Sequence, residues 1–323
     1  MCLSRFLVLL ILLALCTPAK AQQSTKVRRI GYLSIGSSSS PPIEPFRQGL
    51  RELKYIEGKN IIIEYRWANG NAERLPHLAA ELVGLKVELI VAGDSDAISP
   101  AAQATSSIPI IMTVSGDPVA AGYIASLARP GGNITGLSNL APDLAGKRLE
   151  LLKEVAPRVS SVAILGDSSG ASYSAQIKEL EIASRGLGMQ LQQVSLRESR
   201  DLENALLTII RNRAAGLFVI PSSLTNSSRK RIVTFAAENR LPGIYPLSGY
   251  VEDGGLMAYG PNIPEMRRRA AIYVDKVLKG GKPSEIPVEQ PKKFELVINL
   301  KTAKRLGLTI PQSVLYRADK VIK

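Results

Sequence analysis

The chain has 323 residues, a formal net charge of +13 and two cysteines, Cys2 and Cys16, both near the N-terminus. The remainder therefore cannot form a disulfide, a thiol nucleophile or a thiolate metal site, and a single histidine, His77, excludes a histidine-rich metal site. The basic residues are scattered and lack interleaved aromatic residues, so nucleic acid is not expected as a partner.

The N-terminal segment has the pattern of a secretory signal peptide. Arg5 precedes an apolar run over residues 6–16, and Ala19-Lys20-Ala21 supplies small residues where a signal peptidase reads. The run is shorter than the about 20 apolar residues that span a bilayer, which disfavours the alternative of a membrane anchor. A lipid anchor on Cys16 is not expected, because Leu15 stands where a small residue normally precedes a lipidated cysteine. The sequence predicts an exported, periplasmic protein.

After this segment, strand-like and helix-like segments alternate. Ile30-Gly31-Tyr32-Leu33-Ser34 has the pattern of a buried strand, and the helix that follows carries Phe46 and Leu50 at helical spacing. The next helix places its leucines on one stripe over residues 75–82. The predicted strands of this first series cover residues 30–34, 61–65, 87–91 and 108–114.

A second series follows, with helices through Ile177 and through Leu206. A further helix, through Met266, comes after the segment over residues 261–264. Its predicted strands cover residues 161–165, 189–194, 216–220 and 256–259. Such alternation is typical of parallel sheets that are covered by helices, and the length suits two domains. The sequence therefore predicts an α/β protein with two doubly wound parallel-sheet lobes joined by three crossovers.

Three segments rich in proline or glycine are candidates for the crossovers between the lobes. They cover residues 129–136, 261–264 and 280–283. The predicted organisation is a signal peptide over residues 1–21, an N-terminal lobe of residues 27–134 and 261–284, and a C-terminal lobe of residues 135–260 and 285–323.

Three predicted strands end in Gly-Asp, which places Asp94, Asp117 and Asp167 at strand ends. Parallel α/β sheets bind ligands at the carboxyl ends of their strands. A carboxylate there holds the ammonium group of a ligand or, alternatively, caps the following helix. Both roles stay open for each residue, but three such ends predict that at least one aspartate contacts the ligand.

Four serines also follow strands and precede helices: Ser34, Ser95, Ser168 and Ser222. Serine hydroxyls together with the amides of a helix N-terminus form a receptor for a carboxylate or phosphate. Helix capping alone is the alternative, and the two roles are compatible.

Tyr245 and Tyr250 lie in a segment with Pro246 and Gly249, which predicts a loop in the second lobe. An aromatic ring on such a loop stacks on a flat ligand, and core packing is the alternative. Trp67, which follows the second strand, is interpreted as a rim or packing residue.

No cofactor or metal is expected, because the chain lacks a P-loop lysine motif and a dinucleotide Gly-x-Gly-x-x-Gly after a strand. An enzyme that uses paired aspartates as acid and base is the catalytic alternative. With one histidine and no cysteine beyond Cys16, we expect a protein that is not an enzyme.

One run in the chain is specific: Leu127-Ala128-Arg129-Pro130-Gly131-Gly132-Asn133, preceded by Asp117-Pro118-Val119. Together with the segments over residues 46–50, 254–261 and 297–303, it resembles the bacterial ABC-transporter substrate-binding proteins related to tryptophan- and tyrosine-binding lipoproteins. The resemblance covers essentially the whole chain after the signal peptide. It implies the type I periplasmic binding fold, in which a ligand is held between two α/β lobes.

The resemblance and the residues together predict a monomeric solute-binding protein that delivers a small molecule to an ABC permease in the inner membrane. The expected ligand is an amino acid or a similar zwitterion, aromatic ones included, and the expected mechanism is hinge closure. Contacts are expected from Ser34, Asp94, Ser95 and Asp117 in the first lobe and from Asp167, Ser168, Ser222 and Tyr245 in the second. A periplasmic sensor subunit that binds the same ligands for a membrane receptor is the alternative.

Overall fold

The computed structural model describes residues 27–38, 43–139, 144–169, 173–291 and 293–323. The predicted signal peptide and the predicted absence of a lipid anchor on Cys16 both concern residues outside the described ones. Within the described part of the chain, none of the helices combines the length and the apolar character that crossing a membrane requires.

The first sheet consists of five parallel strands formed by runs rich in isoleucine and valine. Its strands are β1 (Arg28–Ser34), β2 (Ile61–Trp67), β3 (Ile90–Ala92), β4 (Ile110–Met112) and β5 (Ile134–Gly136). Their order is β2-β1-β3-β4-β5, and every neighbouring pair is parallel. Ile30, Ile90 and Ile110 are fully buried, as expected for a parallel sheet with helices on both faces.

The second sheet has seven strands in the order β12-β11-β10-β9-β8-β6-β7. They are β6 (Ser161–Asp167), β7 (Gln190–Leu196), β8 (Gly216–Val219), β9 (Gly243–Tyr245), β10 (Met257–Pro261), β11 (Phe294–Asn299) and β12 (Lys320–Ile322). All neighbouring pairs are parallel except β10 and β11, which are antiparallel.

Helices cover both faces of both sheets. The described helices are α1 (Glu44–Glu52), α2 (Leu75–Gly84), α3 (Ile98–Ala104), α4 (Ala145–Val155), α5 (Tyr173–Leu187), α6 (Leu202–Arg211), α7 (Ser223–Ser227), α8 (Arg229–Glu238), α9 (Ser248–Glu252), α10 (Ile263–Leu278), α11 (Leu300–Arg305) and α12 (Gln312–Arg317). In the second sheet, the side chains of Ile164 and Leu165 lie in the cores on opposite faces, because successive strand residues alternate sides.

In the first sheet, α2 buries its predicted leucine stripe on one face, while α1 and α10 bury Phe46 and Met266 on the other. Helices α1 and α10 approach so closely that a Cβ atom on Gly49 would overlap the carbonyl oxygen of Arg268. Helix α10 therefore packs on the first sheet, although it follows five strands of the second sheet in the chain.

The chain passes between the sheets three times, after β5, after β10 and before β11. The first and third passages lie side by side, because the Thr135 hydroxyl donates to the Ile286 carbonyl at 2.7 Å and Leu137 pairs with Glu289. The predicted fold class of two α/β lobes is confirmed. The residue limits of the two lobes stay a prediction.

The direction of β11 differs from the parallel arrangement that the alternating pattern predicts. Strand β10 leaves the second sheet at its carboxyl end, and the chain returns from the first lobe at that same end to begin β11. A chain that re-enters at the end where it left must run in the opposite direction. Strand β11 is therefore antiparallel to β10.

Candidate ligand-binding site

Asp94 joins the carboxyl ends of two neighbouring strands in the first sheet. Its Oδ2 atom accepts a hydrogen bond from the Ser34 hydroxyl at 2.6 Å and another from the Ile35 amide at 2.9 Å. Its Oδ1 atom accepts from the Ala97 amide at 3.2 Å and so caps the short 3-10 turn Ser95–Ala97. Burial raises the pKa of Asp94 to about 6, against the opposing effect of these hydrogen bonds. Ser34 and Asp94 thus lie together, and their hydrogen bond connects the ends of β1 and β3 within the first lobe.

Asp96, which the sequence analysis passed over, is the residue that reaches the other lobe. Its Oδ2 atom accepts a hydrogen bond from the hydroxyl of Ser223, the first residue of α7. The pKa of Asp96 is raised mainly by burial and further by the nearby Asp167 carboxylate, while the bond from Ser223 lowers it. Asp96 and Asp167, from different sheets, therefore lie near the same point.

In the second lobe, Asp167 and Ser168 lie at the end of β6. Asp167 Oδ1 accepts from the amide and the hydroxyl of Ser169, at 2.9 and 2.6 Å. The Ser168 hydroxyl donates to the Leu196 carbonyl at the end of β7, at 3.4 Å. These bonds are local, and Asp167 is the member of this pair that influences the first lobe through Asp96.

Ser222 has the capping role that the sequence left open. Its hydroxyl accepts from the Thr225 amide at 3.1 Å, while the Thr225 hydroxyl accepts from the Ser222 amide at 3.0 Å. This reciprocal pair fixes the start of α7 and directs the next side chain, Ser223, to Asp96. Ser222 therefore orients the adjacent Ser223, whose hydroxyl reaches Asp96 in the other lobe.

Asp117 and Ser95 also hold the carboxyl edge of the first sheet together. Asp117 Oδ1 accepts from the amides of Val119 and Ala120, at 3.1 and 3.0 Å, which caps the turn after β4. The Ser95 hydroxyl donates to the Val114 carbonyl at 3.3 Å and so ties the ends of β3 and β4 together. Neither residue has a hydrogen bond to the second lobe among the bonds of the described residues.

The predicted position of Tyr245 and Tyr250 on a loop is wrong. Tyr245 ends β9 and Tyr250 lies in α9, and both rings are within the core of the second lobe. Tyr245 is 1% exposed, and the two rings are stacked with centroids 5.0 Å apart. Gly243 and Gly255 lie against the Tyr245 ring, where a Cβ atom on either would overlap it. Because both residues lack a side chain, the ring fits between the sheet and the helices. The core-packing alternative is thus the one observed, and Tyr245 is left out of the site.

An aromatic cluster lies beside the Ser34–Asp94 pair. Trp67, at the end of β2, stacks on Tyr65 with centroids 5.9 Å apart and is tilted against Tyr32 at 5.5 Å. Trp67 is half-buried, and a Cβ atom on Gly36 would lie 3.2 Å from Ser34 Oγ and 4.0 Å from the indole. A flat apolar surface therefore adjoins the polar edge of the first lobe.

Residues 166–170 have the sequence Gly-Asp-Ser-Ser-Gly, which matches the spacing of a serine nucleophile elbow. A nucleophilic serine needs an adjacent base, most often a histidine. The only histidine, His77, lies on α2 in the first lobe and pairs with Glu81 at 3.1 Å, while Ser168 donates to a backbone carbonyl. The Gly-x-Ser-x-Gly spacing is therefore present, but the base that would activate Ser168 as a nucleophile is not beside it. Among the described residues, no group of three His, Cys, Asp or Glu residues is placed to hold a metal ion.

With this geometry in place, comparison with known proteins decides the family. A sequence profile described as ABC transporter substrate binding protein matches residues 38–322. The chain belongs to this family. Its members are binders of small molecules that work with ABC permeases, and they are not enzymes. The expectation of a non-enzymatic protein is therefore confirmed.

Two known proteins are similar to this chain over nearly its whole length. A tyrosine-binding protein from Clostridioides difficile is 28% identical over 294 residues, which cover 90% of this chain and 84% of the relative. An ABC domain from Streptococcus pneumoniae, solved in complex with L-Trp, is 26% identical, with a TM-score of 0.84 and coverage of 91% and 99%. The fold is that of the type I periplasmic binding proteins, as the resemblance implies.

A third similar structure is the ligand-free, open form of a substrate binding protein with adhesive properties from Clostridium difficile. The two are 25% identical, and the match covers 92% of this chain and 100% of the similar protein. They superimpose with a TM-score of 0.68. The tryptophan complex, at a similar identity, superimposes with 0.84. Over the whole chain, this structure thus superimposes better on the complex than on the open form.

Proposed function

We propose that the protein is the exported solute-binding component of an ABC importer and that it holds an amino acid, including an aromatic one, between its two lobes. The observation that carries this proposal is the meeting of Asp96, Asp167 and Ser223 from the carboxyl ends of both sheets. Ligands of doubly wound sheets bind in the crevice outside these ends. The proposed binding residues are Ser34, Asp94, Ser95, Asp96, Asp117, Asp167, Ser168, Ser222 and Ser223.

The charge of this region favours an ammonium group. Burial and a neighbouring carboxylate both raise the pKa of Asp96, so a bound cation between Asp96 and Asp167 would relieve their repulsion. The half-buried indole of Trp67, near Ser34, suits a flat apolar side chain. An ammonium group and an aromatic ring on one small molecule describe tryptophan and tyrosine, the ligands named for two of the similar proteins.

Hinge closure is the proposed mechanism. The Asp96–Ser223 bond joins the lobes, and the greater similarity to the tryptophan complex than to the open form supports a closed arrangement. A ligand that contacts both lobes stabilises this arrangement by its higher affinity for it. The permease is proposed to recognise the closed form. The signal peptide predicted over residues 1–21 supports export to the periplasm, and the proposed oligomeric state is a monomer.

The test is titration calorimetry of residues 22–323 with L-tryptophan, L-tyrosine, L-leucine and a sugar alcohol such as allitol. We expect saturable binding of an aromatic amino acid, with the ligand recovered unchanged. Asp167→Asn is expected to weaken binding by about 10-fold or more, because it removes a charge partner of the ammonium group. Glu203→Gln, at an exposed carboxylate of α6 that pairs with Arg231, is the control and should leave the affinity unchanged. Absence of binding to all three of these amino acids would contradict the proposal.

A further inference from the structure

A fully buried cation lies in the second lobe without an anionic partner. Arg148, on α4, is 1% exposed. Its Nε atom donates to the Tyr259 carbonyl at 2.6 Å, whereas its Nη1 atom is buried and has no hydrogen-bond partner. No ion pair joins Arg148 to a carboxylate among the described residues.

The guanidinium group lies at the carboxyl edge of the second sheet. A Cβ atom on Gly260 would lie 3.4 Å from Arg148 Nη2 and would overlap the carbonyl oxygen of Pro246. Pro246 directly follows β9, and Gly260 is near the end of β10, where the chain leaves for the first lobe. Helix α4 itself begins just after the first passage between the lobes. Arg148 is therefore placed where the strand ends and the hinge segments meet.

This arrangement is energetically unusual. Burial of a guanidinium ion without a counter-charge is costly, and a neutral carbonyl compensates for only part of the lost hydration. Burial lowers the pKa of Arg148 to about 9, so that it remains charged at neutral pH. The planar guanidinium offers several N–H donors in a fork that matches a carboxylate. The buried, unpartnered Nη1 atom and the uncompensated charge are both features that a carboxylate would satisfy.

We propose that Arg148 receives the carboxylate of the ligand near the carboxyl ends of β9 and β10. This inference rests on the proposed function and deepens it, because it restricts the substrate class to compounds with a free carboxylate. It also assigns the carboxylate to a buried arginine, and not to the serines at the strand ends. The ammonium group is then left to the aspartates.

The experiment compares L-tryptophan with L-tryptophanamide, which keeps the ammonium group and the indole but lacks the carboxylate. Each is titrated calorimetrically into residues 22–323 as the unaltered protein and as the Arg148→Met, Arg148→Lys and Lys147→Met variants. We expect the unaltered protein to prefer the acid by about 100-fold, since removing one partner of a buried charge pair has an effect of this size. Arg148→Met should reduce this preference to about 10-fold or less, and Arg148→Lys should give an intermediate value.

The ratio of the two affinities is measured within each variant, so a general loss of stability does not imitate the result. Lys147→Met removes an exposed cation of the same helix and should leave the ratio unchanged. Equal affinity of the unaltered protein for acid and amide overturns the inference without any variant. An unchanged ratio in the Arg148 variants also overturns it, while the proposed function stands. If the unaltered protein binds no amino acid, the proposed function falls, and the inference falls with it.

Discussion

The carboxyl edges of the two sheets meet at the Asp96–Ser223 bond, yet they are built differently. In the first lobe, the Asp94 carboxylate accepts hydrogen bonds from Ser34, Ile35 and Ala97, and the polar group left without a partner there is a neutral one, the buried Thr113 hydroxyl after β4. In the second lobe, the buried Arg148 has a donor without a partner. The unsatisfied group of the second edge is therefore a charge, whereas that of the first is a neutral hydroxyl, and we expect the ligand's affinity to be decided mainly at Arg148.

The largest expected difference between the edges concerns one glycine on each. A Cβ atom on Gly260 would overlap the backbone carbonyl of Pro246, whereas one on Gly93 would meet the Tyr32 side chain. A side chain shifts at lower cost than a backbone does. We expect Gly260→Ala to lower the free energy of unfolding by about 3 kcal/mol or more, and Gly93→Ala by about 1–2 kcal/mol. Urea denaturation measures both.

Gly186→Ala on α5 is the matched control, because nothing lies within 4 Å of its Cβ position. There we expect a gain of about 0.5–1 kcal/mol, since alanine favours the helix over glycine. Equal losses at Gly260 and Gly93 would show that the backbone of the second edge yields as readily as a side chain.

The next effect concerns the pH dependence of the first edge. Burial raises the pKa of Asp94 to about 6, whereas in the unfolded chain the ordinary value near 3.9 applies. The folded protein thus binds this proton more tightly, so the stabilisation is fully present below about pH 4 and is lost as the pH rises through about 6. Asp94→Asn removes the titrating carboxyl group and with it this pH-dependent contribution to the free energy of unfolding. Relative to the variant, the unaltered protein should lose about 2–3 kcal/mol of unfolding free energy between pH 4 and pH 7.

Urea denaturation of both proteins at several pH values measures this difference. Asparagine keeps the shape of the side chain and an oxygen that accepts from Ser34 or Ile35. A constant difference between the two proteins across the pH range would mean that Asp94 titrates alike in the folded and unfolded states.

The smallest expected effect separates two adjacent serines of the second edge. Ser222→Ala removes the cap of α7 and should lower the free energy of unfolding by about 1 kcal/mol without opening the lobes. Ser223→Ala removes the bond to Asp96 and should instead increase the radius of gyration of the ligand-free protein, measured by small-angle X-ray scattering. The two variants serve as controls for each other. The same radius for both would indicate that the Asp96–Ser223 bond does not hold the lobes together.

The sequence predicts the two-lobed α/β fold class because the burial patterns of individual strands and helices are local. The run Ile30 to Ser34 predicts a strand, and the leucine stripe over residues 75–82 predicts a helix. Both are present in the structure, as β1 and α2. The Gly-Asp strand ends likewise placed Asp94 and Asp167 at the correct edges. The antiparallel β11 was missed because its direction follows from the path of the chain between lobes, which no local pattern records.

The details of the site were harder to predict for a physical reason. Asp94 and Asp96 are two residues apart, and only the three-dimensional path of the turn decides which one faces inward and which one reaches Ser223. Tyr245 next to proline has the composition of a loop, yet two glycines opposite its ring make room for it in the core. Arg148 gave no signal, because an arginine in an amphipathic helix normally lies on the solvated face.

The packing of α10 against α1 through Gly49 has a consequence for the order in which the protein acquires its structure. The face of the first sheet that carries Phe46 is completed only by residues 263–278, near the end of the chain. During synthesis, that apolar face stays only partly covered, by α1, until nearly the whole polypeptide has been made. The first lobe is therefore the first to begin and among the last to finish folding.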